Sequence, residues 1–163
     1  MTNSNPEKDL IHDFIEVTAE VLSTMASFEV KAEAIHEINS HLEDSTSCLD
    51  ITGVLGFSGG RKGSLLVTFP ESIALRAVGG MLGIEYHKVS ADVRDGVSEL
   101  VNMIAGGAKT RLQAKGIDFS LSIPNTVVGV HHQITGAAST VRRRVDFATE
   151  LGRFFIEVYL KEE

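Results

Sequence analysis

A chain of 163 residues with 43% hydrophobic and 23% charged side chains has the length and usage of one globular domain able to bury its own core. Its formal charge of -7 excludes nucleic acid or an anionic membrane surface as the main partner, because either rewards clustered lysine and arginine. Cys48 is the lone cysteine, which excludes a disulfide framework and a thiolate metal site; the lack of an apolar leader or of a run of about eighteen apolar residues points to a cytoplasmic protein without membrane insertion.

In chain order, residues 7 to 26 place Leu10, Phe14, Val17, Val21 and Met25 at helical spacing behind Asn5-Pro6, a suitable helix start. Residues 28 to 38 read as a strand in which Phe28, Val30, Ala32 and Ala34 alternate with charged positions. Residues 48 to 57 read as another, opened by Cys48 as a small core residue, with Leu49, Ile51, Gly53, Leu55 and Phe57 on one face. Gly59-Gly60-Arg61-Lys62-Gly63 turns the chain into a strand from Leu65 to Phe69. Pro70 ends it, and Glu71 to Leu82 forms a helix that stops at Gly83. Ser90 caps a long helix with Asp92 at its positive end. Four strands follow Gly116: Asp118 to Ile123, Thr126 to Gln133, Val141 to Glu150 and Phe154 to Leu160. These elements predict a single α+β domain over residues 1–163, a largely antiparallel sheet covered by helices.

The long helix carries the strongest signal. At about 100° per residue, Asp95, Glu99, Asn102, Gly106, Lys109 and Gln113 fall within a sector of roughly 80°. Val93, Val97, Leu100, Ile104, Ala108 and Leu112 occupy the other side as a buried stripe. Glu99 and Asn102 lie about one turn apart and point the same way. Gly106 and Gly107 each cost helix stability, by about 1 kcal/mol relative to alanine. They give a partner surface access to the Glu/Asn pair, or they serve helix packing. The residues of the polar stripe alone leave both a functional face and an ordinary solvated one open.

Other chemistries lack their parts. Gly59 to Ser64 lies between strands and lacks the Gly-Lys-Ser/Thr ending of a phosphate loop. The six histidines include no His-Glu-x-x-His, and His131 and His132, adjacent on a strand, would point to opposite faces. No Gly-x-Ser-x-Gly elbow is present. Arg142-Arg143-Arg144, the one basic run, reads as a solvated sheet edge rather than a binding patch.

Asp95-x3-Glu99-x2-Asn102, followed after residues 103–123 by Pro124, resembles the Glu-x-x-Asn signature of the CheC/CheX/FliY family of chemotaxis phosphatases, which dephosphorylate the response regulator CheY. Gly106 and Lys109, the hairpin from Phe57 to Ser64 with its Phe69-Pro-Glu-Ser end, and the Met81-Leu-Gly83 helix exit extend the resemblance from about residue 50 to the C-terminus. The first 48 residues match by element type alone. The resemblance implies that Asn102 orients a water in line with the scissile bond and that Glu99 pairs with a lysine of the receiver. Gly106 would give the receiver room, and Asp95 and Lys109 would contact it at the rim. It further implies a phosphorylated CheY-like receiver as partner, no cofactor of the chain's own, and Mg²⁺ on the receiver. CheC-type members carry a second Glu-x-x-Asn in the first helix. Here that helix offers Glu16-Val-Thr-Ala19, which implies one site per chain and a CheX-like protein that pairs through its sheet into a homodimer. The chain does not extend to a FliY-like flagellar-switch domain. A non-catalytic receiver-binding protein and a flagellar-switch-like regulatory protein are the alternatives.

Overall fold

Leu10, Phe14 and Val17 line the buried side of α1 (Pro6–Met25) as their spacing predicts, while in the next turn Leu22 is fully buried and the predicted Val21 only partly so. Met25 departs from the prediction and is 48% exposed, because the helix ends there and Ala26 and Phe28 take the core positions beyond it. The chain continues through β1 (Lys31–Ile38), β2 (Ser45–Ser47), the hairpin of β3 (Ile51–Gly59) and β4 (Gly63–Phe69), α2 (Glu71–Leu82) and α3 (Ala91–Ala114). It ends with β5 (Phe119–Leu121), β6 (Asn125–Val128), β7 (Gln133–Thr135) and the hairpin of β8 (Thr140–Thr149) and β9 (Gly152–Lys161). This computed structural model describes residues 6–38, 45–47, 49–135 and 140–161; Cys48, expected to open a strand, lies outside them.

Every strand pairing is antiparallel. The seven-stranded sheet runs β1-β8-β9-β4-β3-β5 with β6 also on β3, while β2 and β7 form a separate ribbon. The α+β architecture is the one the sequence predicts. The order also reads the same from either edge when α1 and β1 to β4 are exchanged for α3 and β5 to β9. Under that exchange β4 and β9 meet at the centre, β2 meets β7, and α1 meets α3. The fold thus has an approximate internal two-fold, and α1 and α3 are its corresponding helices.

Helix α3 sits against everything in its layer. A side chain at Gly53 of β3 would collide with Val101, so the missing one lets the helix lie directly on the sheet. A Cβ at Gly107 would come within 2.6 Å of Val17, so α1 and α3 also cross at close range. The helix starts as predicted, with Ser90 Oγ accepting from the Val93 N–H at 3.4 Å. Helix α2 ends as predicted too, on Gly83 at φ 69°, a left-handed conformation that glycine adopts without steric penalty. Asp50 caps α2 from outside, accepting from the Glu71 N–H at 2.7 Å.

Three expectations about the strands are corrected. The arginine run is not a solvated edge, because β8 lies between β1 and β9. Arg142 is 4% exposed beside Glu157 and under the Tyr159 ring, Arg143 reaches Glu37 at 3.0 Å, and Arg144 stacks 3.6 Å from the Phe155 centroid while bonding Asp146 at 3.0 Å. Asp146 is harder to protonate than a free carboxyl: partial burial opposes this, but the hydrogen bonds with Arg144 and His36 outweigh it. The predicted strand from Thr126 to Gln133 is interrupted. β6 stops at Val128, the chain turns at Val130–His131 with His131 at φ 52°, and Gln133 belongs to the ribbon with β2. Finally, the alternation in β1 breaks at a register shift between Ala32 and Ala34, after which Ile35 pairs with the buried Val145 but, on an edge strand, is itself 46% exposed.

Candidate functional site

The predicted stripe of α3 separates as its periodicity requires. Val93, Val97, Leu100, Ile104, Ala108 and Leu112 are completely buried. Asp95, Glu99, Asn102 and Gln113 are exposed, and Gly106 and Lys109 are partly so. Burial of the back fixes the helix, so the front is displayed on a rigid element.

Glu99 and Asn102 have no hydrogen-bond or ion-pair partner among the described residues, and neither do Asp95 and Lys109. Gln113 differs from them, because its side-chain amide donates to the Asp118 carboxylate at 2.8 Å and so ties the end of the helix to the approach to β5. The two glycines divide between the two roles the sequence left open. A Cβ on Gly106 meets nothing within 4 Å, whereas one on Gly107 meets Val17. Gly107 serves packing, and Gly106 leaves clear space one turn beyond Asn102.

One contact braces this face and another holds the chain beside it, and sequence reading missed both. Thr126 Oγ1 lies 2.5 Å from Ser98 Oγ and 3.2 Å from the Arg94 carbonyl, which clamps β6 to α3 one turn before Asn102. His132 bridges Thr52 Oγ1 and the Gly129 carbonyl, each at 2.7 Å, and secures the chain leaving β6. These partners are far apart in sequence, and nothing in a linear pattern signals them.

On α1 the stretch Glu16-Val-Thr-Ala19 is occupied differently. Val17 packs on Gly107, and Thr18 is buried with its hydroxyl donating to the Phe14 carbonyl at 2.7 Å. Arg111 of α3 binds Glu16 and also Glu20, the latter at 2.8 Å. Desolvation works against the Arg111 charge, but its hydrogen bonds to the two glutamates prevail and raise its pKa. Lys115 binds the nearly buried Asp13 at 2.8 Å.

The α3 face is a helix surface rather than a cavity. Two clefts lie away from it, one between Ser27–Lys31 and Ala148–Glu150 and one at the end of α2 around Arg76 and Tyr86. No group of three His, Cys, Asp or Glu side chains suited to a metal ion occurs among the described residues, and no helix is long and apolar enough to cross a membrane. A carboxylate and a carboxamide on such a face can recognise a cation and hold a water; neither is a hydroxyl or thiol paired with a general base. Such a surface suits a partner that brings the reacting group with it.

The sequence model of the family described as chemotaxis phosphatase CheX matches residues 51–148. A protein of Thermotoga maritima named CheY-P phosphatase CheX is 33% identical over 91 residues, 55% of this chain and 57% of that protein. The match thus spans little more than half of that relative's length. A CheC-like superfamily protein from Shewanella sp. PV-4 superposes with a TM-score of 0.84 at 32% identity, covering 94% of this chain and 98% of that one. A chain of the CheX–CheY–BeF3–Mg²⁺ complex from Borrelia burgdorferi shares the fold, with a TM-score of 0.77 at 22% identity over 94% and 99% of the two chains.

Proposed function

Because the chain belongs to the chemotaxis phosphatase CheX family, we propose that it docks on a phosphorylated CheY-like receiver domain and positions the water that hydrolyses its aspartyl phosphate. The observation that carries this reading is the outward Glu99/Asn102 pair, without partners among the described residues, on a helix whose back is wholly buried. A receiver supplies the phosphoaspartate, a Mg²⁺ and a lysine that offset charge on the phosphoryl oxygens, so the remaining need is an oriented water. Asn102 supplies it: a carboxamide both donates and accepts hydrogen bonds without placing negative charge beside the phosphoryl group. Glu99 pairs with the receiver's lysine, Gly106 admits the receiver's surface, and Asp95 and Lys109 meet its rim.

The metal in this scheme belongs to the receiver, as the Mg²⁺ in the name of the Borrelia complex accords with. The protein acts in the cytoplasm, where receivers reside, as one phosphatase domain that pairs with a second copy through its sheet. The test is phosphate release from phosphorylated CheY-type receivers of the same organism. The wild type accelerates release and Asn102→Ala does not, while both bind the receiver. Full acceleration by Asn102→Ala would overturn the assignment of that residue, and receiver binding without acceleration by the wild type would establish the non-catalytic alternative.

A further inference from the structure

Ile123 is 83% exposed, more than any other large hydrophobic side chain among the described residues. It does not belong to a frayed end. Leu121 pairs with Phe57, the Ser122 N–H donates to the Gly56 carbonyl at 2.8 Å, and the Gly56 N–H donates to Ser122 Oγ at 2.8 Å. The ladder resumes with Asn125 opposite Val54. Ile123 and Pro124 together therefore face the single residue Leu55, which is a β-bulge held on both sides. Pro124 has no N–H to rejoin the ladder, and bulges re-aim side chains at sheet edges and beside active sites.

The position of this bulge follows from its anchors. Thr126 touches Arg94 and Ser98, and Asp118 touches Gln113, so the chain from 118 to 126 runs antiparallel to α3. Three extended residues span about 10 Å, the rise of about seven helical residues, which places Ile123 beside residue 103 when counted from the Arg94–Ser98 turn. Counting back from Gln113, five extended residues of about 17 Å correspond to about eleven helical ones and reach residue 102. Both routes set Ile123 next to the turn between Asn102 and Gly106.

We infer that Ile123 is an apolar anchor for the receiver, seated in a hydrophobic depression next to the receiver's phosphorylation site. This rests on the function proposed above, and its occupant is fixed by continuity. A protein partner covering about 800 Å² of surface centred on Asn102 extends about 16 Å in each direction, so it cannot avoid a side chain flanking that turn. Polar recognition by Glu99 and Asn102 is thereby joined to one apolar contact that docking buries.

The test measures the affinity of wild type, Ile123→Ser, Ile123→Leu and Asn102→Ala for a beryllofluoride-activated CheY-type receiver with Mg²⁺, together with turnover on the phosphorylated form. Because Ile123 is exposed, Ile123→Ser folds normally. It binds about tenfold more weakly or worse with its turnover at saturation unchanged, and Ile123→Leu restores affinity. Asn102→Ala shows the reverse pattern, binding without turnover. Unchanged affinity in Ile123→Ser, whether or not the substitution dissociates a dimer in sedimentation, overturns the anchor while leaving the phosphatase intact. A wild type that neither binds nor dephosphorylates a receiver removes both proposals.

Discussion

Helices α1 and α3 occupy corresponding places in one fold and cross each other at Val17 and Gly107, yet their polar groups are in opposite states. On α3, Glu99 and Asn102 have no partner among the described residues. On α1, Glu16 and Glu20 are held by Arg111 and Asp13 is held by Lys115. The difference lies in the neighbouring element: α1's acidic side chains meet cations from the end of α3, whereas Glu99 meets none among the described residues. Here Arg111 in the last turn of α3 and Lys115 just past its end supply the cations bound by α1, which leaves one of the two helices with an open polar face.

The contrast predicts first a separation of activity. Asn102→Ala lowers receiver dephosphorylation by about 100-fold or more, the scale on which lost positioning acts. Glu16→Ala leaves it unchanged, and a phosphate-release assay on both variants reads the difference. A fall with Glu16→Ala would break the comparison. Glu99→Ala comes next: loss of a charge-assisted contact weakens receiver docking by about 1.5 to 3 kcal/mol, measured by titration with the activated receiver.

The two adjacent glycines give a smaller and oppositely signed pair. Gly107→Ala drives a Cβ into Val17, a stiff β-branched side chain, and destabilises the protein by about 1 to 3 kcal/mol. Gly106→Ala fills open space and stabilises the helix by up to about 1 kcal/mol. Urea denaturation resolves both. The smallest effect is that of Arg111→Ala, whose side chain is 34% exposed: its ion pairs are solvent-screened and contribute about 0.2 to 1 kcal/mol. Receiver affinity stays unchanged, because the bridge belongs to the other face.

Much of this was legible in the chain. Local chemistry placed both ends of α2 and the start of α3 correctly, since Pro70, Gly83 and Ser90 act on their own neighbours. The side of α3 that carries Glu99 and Asn102 followed from periodicity alone. The arginine run misled because a strand's own alternation is the same at an edge and in the middle of a sheet, and only the pairing of β8 with both β1 and β9 distinguishes them. The break after Val128 was equally hidden, since His132 is drawn inward by Thr52, eighty residues earlier in the chain.

The sequence by itself determined which residues share a helix face, where helices begin and end, and which family signature the chain carries, because each depends on spacings of a few residues. Only the tertiary structure decided which polar groups lack a partner among the described residues, which glycine faces a neighbour and which faces open space, and that a bulge exposes Ile123. Those outcomes depend on contacts between segments distant along the chain, which packing of the whole sheet and its helices brings together.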